Sequence, residues 1–591
     1  MRPRHHLLPV LVSLSVLAAG LGAVPAAAAQ QRDEVGLRHV LLISVDGLHA
    51  SDVNQCVALG ICPTIEALGE AGTTYADAQA SVPSDSSPGL VALVSGASPK
   101  LSGVYYDDSY DRTMYAPPAQ TPSGTQDCSG APGAEAMYFE NIDTGAPTYA
   151  DPNGTRPILG NTIDPAQLGR AVVGGRCVAV WPNDFLRTNT VFSVAHAAGL
   201  RTAWADKHPA ADRTVAGHGT PNAVDDPFMT EINADVVPAS LVDTRGRTVS
   251  FPHPNATGDP NGWFITDSVG NTEAYDQIKV DAILNEVDGR TSGGTGHPGT
   301  PAIFGLNFQS VSVAQKLVDP WLSCVRSGNA PGCDPSYFPG GYQPGSLTFT
   351  PQLRGAIRFV DGALGSIVGE LRDRHLLAST EIILTAKHGQ SPIDPSRLAK
   401  IGHAEADVLA SAGVGVAQLT DDDVALVWLA DQSQTGAAVA ALAADQAGPN
   451  TARVSTVLSG TALAARFGDP RTDPRTPDLI VQPIPGTIYS HSRGKVAEHG
   501  GFAPDDTHVA LIVTDGRRLL ADHDRDAGER DARAAASSTV EEGRVVWQPV
   551  GTAQVAPTIL AALGLDPERL DAVRIEHTRV LPWALDDASG S

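Results

Sequence analysis

The fold is decided by one stretch, Ser81-Val-Pro-Ser-Asp-Ser-Ser-Pro-Gly-Leu-Val-Ala-Leu-Val-Ser-Gly96. Its two adjacent hydroxyls, Ser86 and Ser87, precede Pro88 and an apolar run, which predicts a sharp turn that leads into a buried helix. A serine in the first turn of such a helix lies beside free backbone N–H groups and the positive end of the helix dipole, where a phosphate group binds well. A serine-rich helix cap without chemistry has the same sequence pattern. The rest of the chain has to decide between these two interpretations.

The composition is typical of an exported globular protein. The chain has 591 residues, of which 42% are hydrophobic and 18% charged, and its formal net charge is −25, which fits one large elaborated domain or two domains. Arg2, Arg4 and the apolar and small-residue stretch up to Ala29 predict a secretory signal over residues 1–29, cleaved before Gln30. An acidic surface repels polyanions, so we expect no binding to nucleic-acid polymers. No later apolar run reaches membrane-spanning length, so we expect no membrane span after cleavage.

An even number of cysteines in an exported chain predicts disulfides rather than zinc knots. The six are Cys56, Cys62, Cys128, Cys177, Cys324 and Cys333. Short separations favour the local pairs Cys56–Cys62 and Cys324–Cys333, which leaves Cys128–Cys177 across a long insertion. Sequence spacing alone does not fix this pairing.

Short apolar runs alternate with helical patterns along most of the chain. The run His39–Val45 is rich in branched residues and predicts a central parallel strand. Further strands are predicted over 201–205, 302–308, 381–386 and 508–514, and helices over 63–71, 191–199, 277–287, 352–374 and 555–564. This alternation predicts an α/β fold with a doubly wound, mostly parallel central sheet and helices on both faces.

Gly-, Pro- and Asp-rich stretches interrupt this alternation. We expect a core over residues 37–400 and 478–585, irregular insertions at about 110–178 and 215–270, and a small α/β cap over 402–475. Asp46 follows the first strand, and a carboxylate at the carboxyl end of a central strand lies in the crevice where open α/β sheets bind ligands. An Asp that only caps the following turn would have the same sequence.

Four polar residues far apart in the sequence, Asp46, Ser86, His388 and His499, each adjoin a predicted core element. Together they supply a carboxylate, a hydroxyl nucleophile and imidazoles around a metal-activated phosphate. In this pattern the chain resembles the type I phosphodiesterase/nucleotide pyrophosphatase branch of the alkaline phosphatase superfamily. The matching motifs are Val45-Asp46-Gly47, Ser86-Ser87-Pro88 nine residues before Ser95-Gly96, the segment 103–111 and the closing helix that starts at Val555.

The resemblance implies an alkaline phosphatase-like fold and a phosphoesterase that forms a phosphoserine at Ser86. It also implies metal ligands at Asp46, Ser86, His388 and His499. Asp107 stands where the family commonly has an Asn that steadies a phosphoryl oxygen.

The chain departs from the family pattern at the metal positions. Lys387 replaces the Asp of an Asp-His-Gly motif, and Gln309 and Val313 stand where the family has an Asp and a His. Zinc sites normally use three or four protein donors. We therefore expect a divalent metal, with zinc as the first candidate, and one ion rather than two.

Lysine is scarce in this chain, and its placement is informative. Four of the seven lysines, Lys100, Lys207, Lys387 and Lys495, lie in or beside the matched segments. We hypothesise that Lys387, helped by Lys207, replaces part of the missing cation by holding the phosphate and lowering the pKa of Ser86. Exposed loop lysines are the alternative. Lys207, His208 and Gln309 are the predicted substrate-binding residues.

The sequence therefore predicts a secreted phosphoesterase, a phosphodiesterase rather than a monoesterase, with a small phosphate ester or diester as substrate. A sulfatase is a weaker alternative, because Leu90 stands where the sulfatase motif has an Arg. An exported binding protein that keeps the fold without the chemistry is compatible with the loss of metal ligands.

Overall fold

The computed structural model of the protein describes residues 37–118, 128–137, 163–234, 236–256, 263–318, 340–492, 494–520 and 543–585. The predicted signal segment and the predicted Cys324–Cys333 pair lie outside these ranges. The predicted disulfides Cys56–Cys62 and Cys128–Cys177 are both present. None of the described helices combines the length and the apolar character needed to cross a bilayer.

An eight-stranded sheet forms the centre of the fold. Its strands, numbered along the chain, are β1 (His39–Val45), β2 (Thr73–Tyr75), β3 (Ala203–Asp206), β4 (Asp226–Met229), β5 (Ile303–Phe308), β6 (Thr380–Thr385), β7 (Leu511–Asp515) and β8 (Arg544–Val546). They lie in the order β8-β2-β7-β6-β1-β5-β3-β4. The strands from β6 to β4 are parallel, whereas β7 is antiparallel to both β6 and β2. The predicted α/β fold is thus present with a large mixed sheet.

Strand β1 is central because its side chains are buried on both faces of the sheet. Val40 and Leu42 belong to the apolar cluster on one face, and Leu41 and Ile43 to the cluster on the other, as strand alternation requires. The first cluster includes the helices Ser86–Ser95, Val191–Ala197 and Val555–Ala562, and the second includes Pro63–Ala71, Val269–Val287 and Pro351–Asp373.

Shorter elements surround this sheet. The other helices outside the cap are Ala50–Ala58, Pro99–Ser102, Pro182–Phe185, Pro209–Ala216, Ser310–Lys316, Pro504–Thr507 and Asp571–Glu576. The small strands are Ala78–Gln79, Asp108–Asp111, Ala134–Met137, Arg170–Val173, Arg176–Ala179, Ser240–Val242, Thr248–Ser250, Ala399–Lys400, Thr487–Ile488, His508–Val509 and Val550–Gly551.

A separate four-stranded antiparallel sheet occupies the predicted cap region. Its strands are Val416–Asp421, Ala425–Leu429, Val454–Ser459 and Leu479–Pro483, and its helices are Ala404–Ser411, Thr435–Ala447 and Gly460–Phe467. We call the segment 403–483 the cap. The sequence predicted that the chain rejoins the core at Asp478. This boundary is wrong by one strand, because Leu479–Pro483 pairs with cap strands and not with the central sheet.

The observed ends of some other elements differ from the predicted ends for local reasons. The helix predicted over 277–287 begins at Val269, because the Ser268 hydroxyl caps it by accepting the N–H of Asn271. The strand predicted over 201–205 runs to Asp206. These shifts leave the order of elements unchanged.

Candidate active site

Ser86 is held at the start of a buried helix by its neighbours. The helix Ser86–Ser95 begins after Asp85, whose carboxylate accepts the N–H of Ser87 over 2.9 Å and that of Asp107 over 3.0 Å. Gly89 allows the helix to approach the chain segment after β6, because a Cβ at this position would overlap the carbonyl group of Lys387. This close approach brings Ser86 to the edge of the central sheet.

Two groups contact the Ser86 hydroxyl. Lys207 Nζ donates a hydrogen bond to Ser86 Oγ over 3.0 Å, and His388 Nε2 lies 3.3 Å from the same oxygen. His388 Nδ1 lies 2.8 Å from the carbonyl oxygen of Gly389, so Nδ1 carries the proton and Nε2 presents its lone pair to the hydroxyl. Burial lowers the pKa of His388, which keeps the imidazole neutral. The hydroxyl is therefore flanked by a proton acceptor and a cation.

Asp46 lies directly after β1 and is fully buried. Its Oδ2 accepts hydrogen bonds from Lys207 Nζ over 3.1 Å and from Asn307 Nδ2 over 3.2 Å, and lies 3.4 Å from Lys387 Nζ. Burial alone would raise the pKa of Asp46, but the ammonium groups of Lys387 and Lys207 hold it well below its usual value. Gly47 then turns the chain with a φ of 80°, a conformation that favours glycine.

Lys207 and Lys387 are both buried, with 8% and 1% of their surface exposed. Burial alone would lower the pKa of Lys207, but the carboxylates of Asp46 and Asp206 raise it above its usual value. For Lys387 burial outweighs the same two carboxylates and lowers the pKa. Both lysines lie where the sequence-based hypothesis needs a cation, but the one in contact with Ser86 is Lys207.

His499 lies beside His388, with their ring centroids 4.0 Å apart. Its Nδ1 is 3.4 Å from Asp85 Oδ1, and the next residue, Gly500, pairs with Ser84 in the loop before the nucleophile. Burial lowers the pKa of His499 well below its usual value, and His388 lowers it further. Burial raises the pKa of Asp85 to about 6. The structure therefore brings together Asp46, Ser86, His388 and His499, as the sequence predicted.

A cavity of about 530 Å³ opens beside Ser86. Its wall includes Asp107 and the three predicted substrate-binding residues, Lys207, His208 and Gln309, together with the cap residues Thr420, Asp421 and Asp422. The His208 ring is oriented by Glu231, whose Oε1 lies 3.0 Å from His208 Nδ1. Lys495 also lines the cavity, where it forms an ion pair with Glu498 over 2.8 Å. Lys100 does not reach this site, because its Nζ donates to the Ala465 carbonyl at the surface.

The donors around Ser86 do not match an arrangement of two metal ions. Ammonium groups of Lys207 and Lys387 already contact Asp46 Oδ2, and Gln309 and Val313 line the cavity in place of acidic and imidazole ligands. Across the described ranges, one group of three His, Cys, Asp or Glu residues has its ligand atoms within 4.8 Å of one another, and it lies in the cap: His403, Glu405 and Asp421. The centre at Ser86 therefore favours ammonium groups as its positive charges.

Sequence reasoning missed two residues that contact this set. Asp85 anchors the loops that carry Ser87 and Asp107, and its signal was the helix N-cap position, where Asp is preferred. Asn307 donates to Asp46. It lies near the end of β5, which is paired in parallel with β1, and adjacent parallel strands bring their carboxyl ends together.

A known protein family matches the chain. The family model described as type I phosphodiesterase/nucleotide pyrophosphatase matches residues 40–257 and 340–505. No curated protein sequence gives a significant match. Two solved structures of murine ectonucleotide pyrophosphatase/phosphodiesterase 5, one of them an inactive variant in complex with AMP, are similar with TM-scores of 0.49 and 0.48 and identities of 11% and 12%. Each alignment covers 90% of this chain and 96% of the other.

Proposed function

The chain belongs to the type I phosphodiesterase/nucleotide pyrophosphatase family, whose members are hydrolases of phosphoric ester bonds, and we propose that it is a secreted phosphodiesterase with Ser86 as its nucleophile. The observation that carries the proposal is the pair of contacts at Ser86 Oγ, with Lys207 Nζ at 3.0 Å and His388 Nε2 at 3.3 Å. A hydroxyl within reach of a neutral imidazole is the arrangement of an activated nucleophile.

In the proposed reaction Ser86 Oγ attacks phosphorus while its proton passes to His388 Nε2. The bond from phosphorus to the leaving oxygen breaks on the side opposite Ser86 Oγ, and that oxygen takes a proton from solvent, which leaves a phosphoserine and a protonated His388. Water then attacks the phosphoserine and gives one proton to solvent, and the Ser86 oxygen recovers its proton from His388. The protein returns to its starting state with the P–O bond of the substrate hydrolysed.

The positive charges of the site act on the phosphoryl group. Lys207 lies next to the attacking oxygen, so its ammonium group stabilises the alkoxide as it forms and the charge that develops on the phosphoryl oxygens. Lys387 keeps Asp46 ionised and adds positive charge to the same centre. Members of the family are typically metal-dependent, yet each of these steps uses side chains of this chain alone.

The substrate is a small phosphodiester or a nucleotide pyrophosphate, the class for which the family is named. A cavity of about 530 Å³ is within the size range of small-ligand pockets, roughly 300–1,000 Å³. His208 and Gln309 on its wall contact the group attached to phosphorus, and Asp107 lies near the phosphoryl oxygens. Export follows from the predicted signal over residues 1–29, and a mature N-terminus at Gln30 in the secreted protein would support it.

Turnover of bis(p-nitrophenyl) phosphate by purified wild type, Ser86→Ala and Ser87→Ala tests the proposal. Ser87 is the matched control, because it is similarly buried and its hydroxyl has no hydrogen-bond partner in the part of the chain that the structure describes. We expect wild type and S87A to release p-nitrophenol and S86A to lose at least about 10³-fold in rate. Turnover by S86A at the wild-type rate would exclude Ser86 as nucleophile. Binding of phosphate without any turnover by wild type would favour a non-catalytic binding protein.

A further inference from the structure

The cap contains a group of ligand-type side chains that the proposed chemistry does not use. His403 directly precedes the helix Ala404–Ser411, which carries Glu405, and Asp421 is the last residue of the strand Val416–Asp421. His403 Nδ1 lies 2.6 Å from Asp421 Oδ2. One ligand atom from each of the three residues lies within 4.8 Å of the others. Two separate cap elements therefore converge on one point.

Glu405 has the environment of a metal ligand. It is fully buried, and neither of its carboxylate oxygens has a hydrogen-bond partner among the described residues. Within the described part of the chain, no lysine or arginine forms an ion pair with Glu405 or Asp421, and the exposed imidazole of His403 is the ion-pair partner of Asp421. Two neighbouring carboxylates, one of them buried without a donor, are strongly unfavourable when both are ionised, and either a proton or a cation between them removes that cost.

We propose that His403, Glu405 and Asp421 bind one zinc-type divalent cation in the cap. An imidazole nitrogen combined with carboxylate oxygens is a donor set that zinc accepts, and three protein donors leave a fourth position for water. Calcium and magnesium take oxygen ligands, so the imidazole selects against them. The side chain of His403 is 54% exposed, which gives the ion a route from solvent to the buried Glu405.

The ion would stabilise the position of the cap residues that line the cavity beside Ser86. Asp421 belongs both to the metal-binding group and to the cavity wall. The adjacent Asp422 accepts a hydrogen bond from the Tyr106 hydroxyl over 2.8 Å, and that hydroxyl lies 3.1 Å from the carbonyl oxygen of His499. The proposed ion is therefore connected to the position of the cap but not to the proton transfers at Ser86.

Zinc titration of the chelator-stripped, full-length protein tests the site, with stoichiometry and affinity measured by calorimetry. The variants are Glu405→Gln, His403→Ala and, as a matched control, His196→Ala. His196 forms a similarly exposed pair with Asp225 over 3.1 Å, and no third ligand completes a group there among the described residues. We expect one zinc ion per chain in wild type and H196A, and binding weakened by at least about tenfold in E405Q and H403A. Titration with calcium should show no comparable binding.

The absence of zinc binding in wild type would overturn the proposal, and so would unchanged affinity in both E405Q and H403A. Zinc binding that is lost in Asp46→Asn but kept in E405Q would place the ion beside Ser86 and would also contradict it. Because His403 is exposed, H403A should keep the thermal unfolding curve of the stripped wild type. S86A should bind zinc as wild type does, so this readout is independent of turnover.

Discussion

Lys207 Nζ lies 3.0 Å from Ser86 Oγ and 3.1 Å from Asp46 Oδ2, so one ammonium group connects the predicted nucleophile to the carboxylate after β1. Members of this family are typically metal-dependent. A lysine supplies a single charge with fixed attachment to the protein, and its geometry does not depend on the supply of metal.

Replacing Lys207 with Met should lower kcat/KM for an aryl phosphodiester by about 10²–10³-fold, because the substitution removes the charge next to the attacking oxygen. Lys207→Arg should recover part of this loss, since it keeps the charge with a different geometry. Lys100→Met is the control, because Lys100 contacts only a surface carbonyl among the described residues. A wild-type rate in K207M would show that Ser86 does not depend on this lysine.

The dependence of kcat/KM on pH should show the deprotonation of Lys387. Burial lowers its pKa below 10.5, whereas the pKa of Lys207 is raised above that value. As the pH rises, Lys387 therefore loses its proton first, and kcat/KM should begin to fall below pH 10.5. Lys387→Arg should move this alkaline limb to higher pH, because a guanidinium keeps its proton. An alkaline limb that is the same in both proteins would assign it to another group.

The fall of kcat/KM at acid pH should reflect the protonation of His388. Burial lowers its pKa below 6.5, and the imidazole must be neutral to accept the Ser86 proton. We therefore expect kcat/KM to hold as the pH falls to 6.5 and to decline only below it. A decline that begins clearly above pH 6.5 would contradict the role of His388 as the base.

Gly89→Ala should reduce both stability and activity, although alanine normally stabilises a helix relative to glycine by about 0.5–1 kcal/mol. The added Cβ overlaps the Lys387 carbonyl group, so the helix must move away from His388. The matched control is Gly362→Ala in the helix Pro351–Asp373, where nothing lies within 4 Å of the new Cβ. Thermal melts should show a lower Tm for G89A and an unchanged or higher Tm for G362A. Equal changes in Tm for G89A and G362A would contradict the predicted overlap between the new Cβ at position 89 and the Lys387 carbonyl group.

Two buried carboxyl groups, Asp423 in the cap and Asp506 in the core, should make stability depend on pH. Burial raises the pKa of Asp506 to about 7 and that of Asp423 well above its usual value. The folded protein therefore binds more protons than the unfolded chain, and its stability should fall as the pH rises from about 4 to about 7, with Asp506 contributing up to about 1.4 kcal/mol per pH unit. Asp506→Asn should flatten this slope in urea unfolding curves. An unchanged slope would mean that Asp506 does not titrate in this range.

The strands of the central sheet were predictable because residues adjacent in the sequence indicate each of them. His39–Val45 is apolar from Val40 to Ile43, a pattern typical of a strand buried on both faces of a sheet. Leu479–Pro483 has the same appearance, yet it joins the cap sheet. The choice between two sheets is made by pairing partners distant in sequence, which the pattern does not contain.

The candidate site was predictable in its members but not in its contacts. Asp46 ends a recognisable strand and Ser86 begins a recognisable helix, whereas the contact between Lys207 and Ser86 depends on the pairing of β3 with β5, which in turn pairs with β1. The cap group gave no signal at all, because His403, Glu405 and Asp421 have no spacing characteristic of a metal motif. They come together only in the folded cap, where the start of the helix Ala404–Ser411 lies near the end of the strand Val416–Asp421.

All the groups that we assign to bond making and breaking lie outside residues 403–483, while Thr420, Asp421 and Asp422 inside that segment form one wall of the cavity. The contribution of this segment to substrate selectivity is therefore separable from reactivity, whereas the contribution of His208 and Gln309 belongs to the core. Grafting the segment from a relative would change which molecules are admitted and leave the reacting atoms where they are.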